Sequence, residues 1–200
     1  EHIDTYAFSS CPLLQAIQLP ASLTTLGGAS GAGGCVFCDC TSMSSLTFDS
    51  GSKLSSIGTN VFKGCSSLLR VAIPDFVAIV GGGAFGDCTS LEVVLYGVFS
   101  RLITISSTAF AGTNLKTFAV PDSVSTLESD AFMSCNSLRN VTFGGASQCF
   151  VSPQAFAGSG VQVVVAPPAV LYTGSVPVTR IPASARVTPE PTPSPHDALH

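Results

Sequence analysis

The densest group of reactive side chains in the sequence is the cysteine cluster Cys35-x-x-Cys38-x-Cys40. Clustered thiolates bind zinc, but a structural zinc site needs four ligands and usually a second close pair of Cys or His. The three His stand at positions 2, 196 and 200, near the chain ends. We therefore predict no metal site. We expect instead a local disulfide that involves Cys35 or Cys38, with Cys149 as an alternative partner whose position the sequence does not define.

Side chains arranged for catalysis are not found. A nucleophilic Ser or Cys needs a nearby base, yet no His lies within the repeats described below and no Gly-x-Ser-x-Gly motif occurs. The glycine-rich stretch 27–34 lacks the Lys-Ser or Lys-Thr that follows in a phosphate-binding loop. The acidic residues fall mostly at expected turns, where solvated caps explain them: Asp75, Asp87, Glu92, Asp122, Glu128 and Asp130. We predict that the chain is not an enzyme and uses no cofactor.

The composition favours one domain with a large apolar core. Of the 200 residues, 46% are hydrophobic and only 10% are charged, which is enough to fill a core in a chain of this length. The net charge of -4, without a run of Lys or Arg, gives no electrostatic reason to expect nucleic acid as a partner. The most apolar run, 161–172, is short and contains two Pro, so we expect no direct membrane insertion.

A repeat with a period near 23 residues organises most of the sequence. Its anchors are seven Phe separated by 29, 25, 23, 25, 22 and 24 residues: Phe8, Phe37, Phe62, Phe85, Phe110, Phe132 and Phe156. Repeats of this length are typical of solenoids, in which no unit can bury its apolar face alone and stacking supplies the core. We therefore expect stacked Phe rings inside the solenoid.

Each repeat contains a strand pattern followed by a return segment. The template Leu68-x-x-Val71-x-Ile73 recurs seven times, and its last two apolar residues show the period of two of a strand. A second apolar pair follows most strands, and Pro20, Pro74 and Pro121 come directly after a strand, where a missing N–H ends the ladder. We predict about seven coils of roughly 23 residues, with a parallel sheet on one concave face and turns, short 3₁₀ pieces or short strands on the other, without long helices.

Most of the cysteines share one position of the repeat. Cys11, Cys40, Cys65, Cys88 and Cys135 stand three residues after a Phe. We interpret them as small buried thiols that pack and weakly hydrogen-bond to backbone. Side chains that stack in parallel have poor geometry for a disulfide, so we expect these thiols to be free.

The repeat unit resembles the BspA-type leucine-rich repeat. The pattern apolar-Gly-x-x-Ala-Phe-x-x-Cys-x-x-Leu is seen at 80–91, and a close variant is seen at 127–138. The resemblance covers about residues 3–167 and implies a leucine-rich-repeat solenoid with a parallel sheet along one side. It also implies a surface or secreted protein for adhesion and host-protein binding. The family offers no shared catalytic residues, and no motif defines its binding residues.

The division into domains follows from where the repeats fade. We expect the repeat domain at 1–167, a cap or transition segment at 168–183, and a Pro/Thr/Ser-rich linker or stalk at 184–200. The chain opens inside a repeat without a basic and apolar leader. A signal peptide was therefore removed, lies upstream or never existed.

The outward strand positions are the candidate ligand-binding residues on the concave face. They mix charged, polar and apolar groups: Arg70, Glu92, Val93, Leu95, Lys116, Thr117, Arg139, Asn140 and Thr142. Asn140-Val-Thr142 also matches the N-glycosylation triplet. We expect a non-enzymatic adhesion module on the cell surface or secreted, which binds a host or matrix protein or a glycan. The alternative is an intracellular, cytoplasmic scaffold for protein–protein interaction.

Overall fold

The computed structural model describes residues 1–27, 34–144, 147–167, 169–172, 174 and 178–180. The segment 28–33 of the glycine-rich stretch and the Pro/Thr/Ser segment 184–200, which we predicted to be a linker or stalk, lie outside the described residues. The described part of the chain contains no helix long and apolar enough to cross a membrane.

Two kinds of strand alternate along the chain. Strands of two residues are β1 (His2–Ile3), β3 (Thr25–Leu26), β5 (Ser56–Ile57), β7 (Ile79–Val80), β9 (Thr104–Ile105), β11 (Thr126–Leu127), β13 (Phe150–Val151) and β15 (Leu171–Tyr172). Longer strands are β2 (Ala16–Leu19), β4 (Ser45–Phe48), β6 (Arg70–Ile73), β8 (Val93–Tyr96), β10 (Thr117–Val120), β12 (Asn140–Phe143), β14 (Val163–Ala166) and β16 (Val178–Arg180). One strand of each kind makes one coil.

The coils stack in parallel, which confirms the predicted solenoid of about seven turns of roughly 23 residues. The two-residue strands form one continuous eight-stranded sheet in the order β1-β3-β5-β7-β9-β11-β13-β15. The longer strands pair as β2-β4, as β6-β8 and as β10-β12-β14-β16. Hydrogen bonding along the longer strands is therefore interrupted twice, whereas we expected one sheet on that side.

The segment after the last clear repeat continues the same stacking. Strand β15 pairs with β13, and β16 pairs with β14, both in parallel. This segment falls within our predicted cap, and it covers the edges of the preceding coil with one strand on each side. An edge that is paired in this way no longer presents free backbone groups.

The core lies between the two sides of each coil. In β10, Phe118 and Val120 are buried while Thr117 and Ala119 are exposed, as the period of two requires. The return segments contribute Leu54, Ile57 and their equivalents from the opposite side. Every coil thus delivers apolar side chains to one continuous core, and burial of that surface is the main stabilising term.

The repeated Phe rings stack on one another through the core. Neighbouring centroids are 5.1–5.7 Å apart, and the planes are inclined by 4–24° along the series Phe8, Phe37, Phe62, Phe85, Phe110, Phe132 and Phe156. Such near-parallel, offset rings are a favourable aromatic arrangement. Phe8 is 38% exposed, because in the described part of the chain no further ring covers its outer face.

Candidate binding surface

The outward side chains of the longer strands form a surface that we call the principal face. Register places Arg70 beside Val93 on two paired strands. On the next sheet, Thr117, Asn140 and Val163 form one row across three coils. A second row contains Ala119, Thr142 and Val165. The structure therefore brings most of the predicted face residues into rows, but the interruption between β8 and β10 divides the surface.

Part of the predicted binding set already pairs within the chain. The Glu92 carboxylate accepts hydrogen bonds from Asn114 Nδ2 at 3.1 Å and from Lys116 Nζ at 3.3 Å. Ser137 Oγ donates to Asn114 Oδ1 at 2.6 Å, which extends the network to a third coil. Exposed ion pairs of this kind contribute about 0–1 kcal/mol. The network orients side chains along one edge of the principal face and leaves Glu92 and Lys116 less available to a ligand.

The Arg139 side chain is also engaged with its own fold. Its Nη1 donates to the carbonyl oxygens of Asn136 at 2.6 Å and Gly160 at 3.3 Å. The Gly160 contact crosses to the next coil. Arg139 therefore acts first as a clamp between two coils, although it remains exposed.

The row positions next to this network are more open. Thr117, Asn140 and Thr142 are exposed, and Arg70 is exposed at the start of β6. Asn140 lies in the middle of its row, between Thr117 and Val163. A glycan at Asn140 would cover the centre of that row.

The cysteine cluster divides into one disulfide and free thiols. Cys35 and Cys38 are bonded to each other, and Ser9 Oγ lies 3.2 Å from Cys38 Sγ. Cys149, which we considered as an alternative partner, is a free buried thiol whose pKa burial raises to about 12. Among the described residues, no group of three His, Cys, Asp or Glu could hold a metal ion.

The repeat thiols form a ladder along the core. Four of the five donate to the carbonyl oxygen of the Phe one coil earlier: Cys40 to Phe8 at 3.1 Å, Cys65 to Phe37 at 3.1 Å, Cys88 to Phe62 at 3.1 Å and Cys135 to Phe110 at 3.0 Å. Cys11, in the first coil, donates to the Ser9 carbonyl at 3.8 Å. Where Thr113 replaces Cys, its hydroxyl donates to Phe110 within the same coil at 2.8 Å. Burial raises the pKa of Cys40 and Cys135, so these thiols stay protonated and keep donating.

Sequence reasoning missed a groove at the ends of β4, β6 and β8, which we call the aromatic groove. It is lined by residues 48–52, 72–76 and 95–99 and has a volume of about 460 Å³. Leu95 and Ala72, on the principal face, lie in its wall. Phe76, Val98 and Phe99 are 49%, 84% and 79% exposed. Large apolar side chains that are exposed in this way indicate a surface for contact with another molecule, because they contribute little to the core.

A departure from the repeat pattern marks this groove in the sequence. The third residue after a longer strand is Ser22, Gly51 or Ser123 in three coils but Phe76 and Phe99 in two neighbouring coils. A turn position in solvent needs no aromatic side chain for folding. The two adjacent exceptions are the signal that could have identified the groove.

Comparison with known proteins places the repeat in a family. The sequence pattern described as "BspA type Leucine rich repeat region" matches in six copies over residues 1–139 and 95–175. The chain belongs to the BspA-type leucine-rich repeat family. The resemblance noted from the repeat unit is thereby confirmed. No curated protein sequence matches this BspA-type chain significantly.

Solved structures share the fold of this BspA-type chain. One is a leucine rich cell surface protein from Faecalibacterium prausnitzii, 21% identical with a TM-score of 0.54, over 88% of this chain and 61% of that one. Another is the pneumococcal vaccine antigen PcpA, 19% identical with a TM-score of 0.55, over 78% of this chain and 46% of that one. The chain therefore spans less than two thirds of either protein. At these identities the likeness shows the fold alone.

Proposed function

We propose that this chain is a non-enzymatic binding module of a surface or secreted protein, and that it binds a protein or glycan through the principal face. The observation that carries the proposal is the row of Thr117, Asn140 and Val163. Backbone pairing holds these side chains at a regular spacing of about 4.8 Å across coils. A surface organised before binding loses little conformational entropy when a partner docks.

The proposed location draws on the relatives and on the disulfide. Two proteins of similar fold are described as a cell surface protein and as a vaccine antigen, which supports exposure on a cell. The Cys35–Cys38 disulfide supports an oxidising compartment. In this proposal, the Pro/Thr/Ser segment at 184–200, which lies outside the described residues, serves as a linker or stalk.

The test of face binding uses the purified chain against purified extracellular-matrix proteins and a glycan array. We expect at least one specific interaction that is weakened about tenfold or more by Thr117→Glu combined with Thr142→Glu. The matched control is Ser45→Glu combined with Thr47→Glu, at the equivalent exposed positions of β4. Equal binding by both double variants and the original chain would rule out this part of the principal face.

The free thiols favour a second candidate, an intracellular scaffold. Cys40, Cys65, Cys88 and Cys135 are unpaired, as is common where thiols are kept reduced. Labelling of intact cells with a membrane-impermeant reagent distinguishes the surface module from the intracellular scaffold. Labelling of the chain supports the surface module, whereas labelling only after lysis supports the scaffold.

A further inference from the structure

We propose that the aromatic groove is the main anchor for a partner protein, and that its occupant is a segment with an aliphatic or aromatic side chain next to Lys or Arg. This inference rests on the proposed binding function and names its partner class. It differs from that proposal in placing the strongest contacts at the strand ends rather than in the rows of the principal face.

The shape and lining of the groove fit an apolar side chain. Its wall contains Ala72, Ile73 and Leu95, and its outer edge carries Val98 and Phe99. Energetically dominant contacts in interfaces are usually large side chains inserted into such pockets. A saccharide needs many polar groups around its hydroxyls, and this lining is mostly apolar, so a protein segment fits better than a glycan.

The charges in the lining favour a basic partner. Asp49 and Asp75 both lie in the groove wall. Asp49 Oδ1 accepts from the Gln18 amide, while the Asp75 carboxylate has no hydrogen-bond or ion-pair partner within the described ranges. A Lys or Arg beside the inserted side chain would supply the missing partner. Complementary charge of this kind gives specificity and faster association.

The aromatic rings provide a second site for a cation. The Arg101 guanidinium lies over the Phe76 ring, 4.4 Å from its centroid. No described residue places a cation in the same way on Phe99, which is 79% exposed one coil later. A partner Lys or Arg can occupy that ring face, an interaction worth about 0.5–1 kcal/mol at an exposed site.

The experiment is a selection of random peptides on phage against the immobilised chain, followed by calorimetry with the selected peptide. We expect sequences that combine Leu, Ile or Phe with adjacent Lys or Arg. Phe99→Ser and Asp75→Asn should each lower the affinity for the peptide about tenfold or more. Phe150→Ser is the matched control, since Phe150 is 55% exposed on the opposite sheet, and it should leave binding within about twofold.

The outcomes separate this inference from the proposed function. Selection of acidic or purely polar peptides, no selection at all, or binding unchanged by Phe99→Ser would overturn the groove assignment. So would a glycan whose binding depends on Phe99. If Thr117→Glu combined with Thr142→Glu abolishes peptide binding and Phe99→Ser does not, the groove assignment is refuted and the principal face is supported. If neither the groove variants nor the principal-face variants change peptide binding, both assignments are refuted.

Discussion

The thiol of Cys88 donates a hydrogen bond to the carbonyl oxygen of Phe62, one coil earlier, across 3.1 Å. The same carbonyl accepts from the backbone N–H of Cys65 at 3.2 Å. Two donors from two coils therefore satisfy one buried oxygen. The contact repeats along the core, and it explains why a small donor side chain recurs three residues after Phe.

Replacement of Cys88 should distinguish hydrogen bonding from packing. We expect Cys88→Ala to lower the free energy of unfolding by about 1–3 kcal/mol, because it removes a buried donor and leaves a small cavity. Cys88→Ser keeps a donor and should cost less. Urea denaturation of both variants measures the difference. Equal losses would mean that the thiol contributes only volume.

The buried thiols predict a loss of stability in alkali. Burial raises the pKa of Cys149 to about 12 and that of Cys135 above its ordinary value. Above about pH 8.5 the unfolded chain releases these protons while the folded chain retains them. The contribution of these thiols to the free energy of unfolding should therefore be constant below that pH, and the free energy of unfolding should fall as the pH rises from there towards 12. Denaturation at a series of pH values tests this, and Cys149→Ala should show a shallower fall.

Removal of a stacked ring should destabilise the solenoid strongly. Phe85 is fully buried between the rings of Phe62 and Phe110. Phe85→Ala should cost about 3–5 kcal/mol, because the cavity cannot collapse between fixed coils. Calorimetry should show a melting temperature lower by roughly 10 °C. Phe132→Ala should behave similarly, and Phe150→Ala, at an exposed ring, should change little. An unchanged melting curve for Phe85→Ala would contradict the role of the stack.

Two adjacent glycines should respond differently to a methyl group. A Cβ on Gly81 would lie 2.8 Å from the Gly58 carbonyl carbon and 2.9 Å from the Ile57 oxygen, both backbone atoms of the previous coil. A Cβ on Gly82 would approach nothing closer than 3.3 Å. Gly81→Ala should therefore cost about 1–3 kcal/mol by overpacking, and Gly82→Ala less. Comparable melting temperatures for the two variants would show that the coils yield at this contact.

Cysteine counting tests the disulfide directly. The chain has eight Cys, of which six are free and two, Cys35 and Cys38, are bonded. Alkylation in denaturant without reductant should modify six, and prior reduction should raise the number to eight. Peptide mapping should place both protected residues in one peptide. Protection of Cys149 would show a different pairing.

Much of the architecture was predictable from the sequence because the constraint on each coil is local. The spacing of Phe85 and Phe110, and the alternation in β10, follow from which side chains must be buried. The outward positions of the longer strands followed from the same alternation, whereas their grouping into rows depends on the register between coils. The engagement of Arg139 with Gly160 did not, because it depends on how far two coils are offset.

The sequence by itself determined the period and the inward side of each strand, because burial imposes a pattern on nearby residues. Only the tertiary structure decided which outward groups meet. Phe76, Phe99 and Asp75 are brought into one groove by stacking. Solvent-exposed turn positions obey no burial period, so their neighbours are set by the register between coils rather than by the order of residues along the chain.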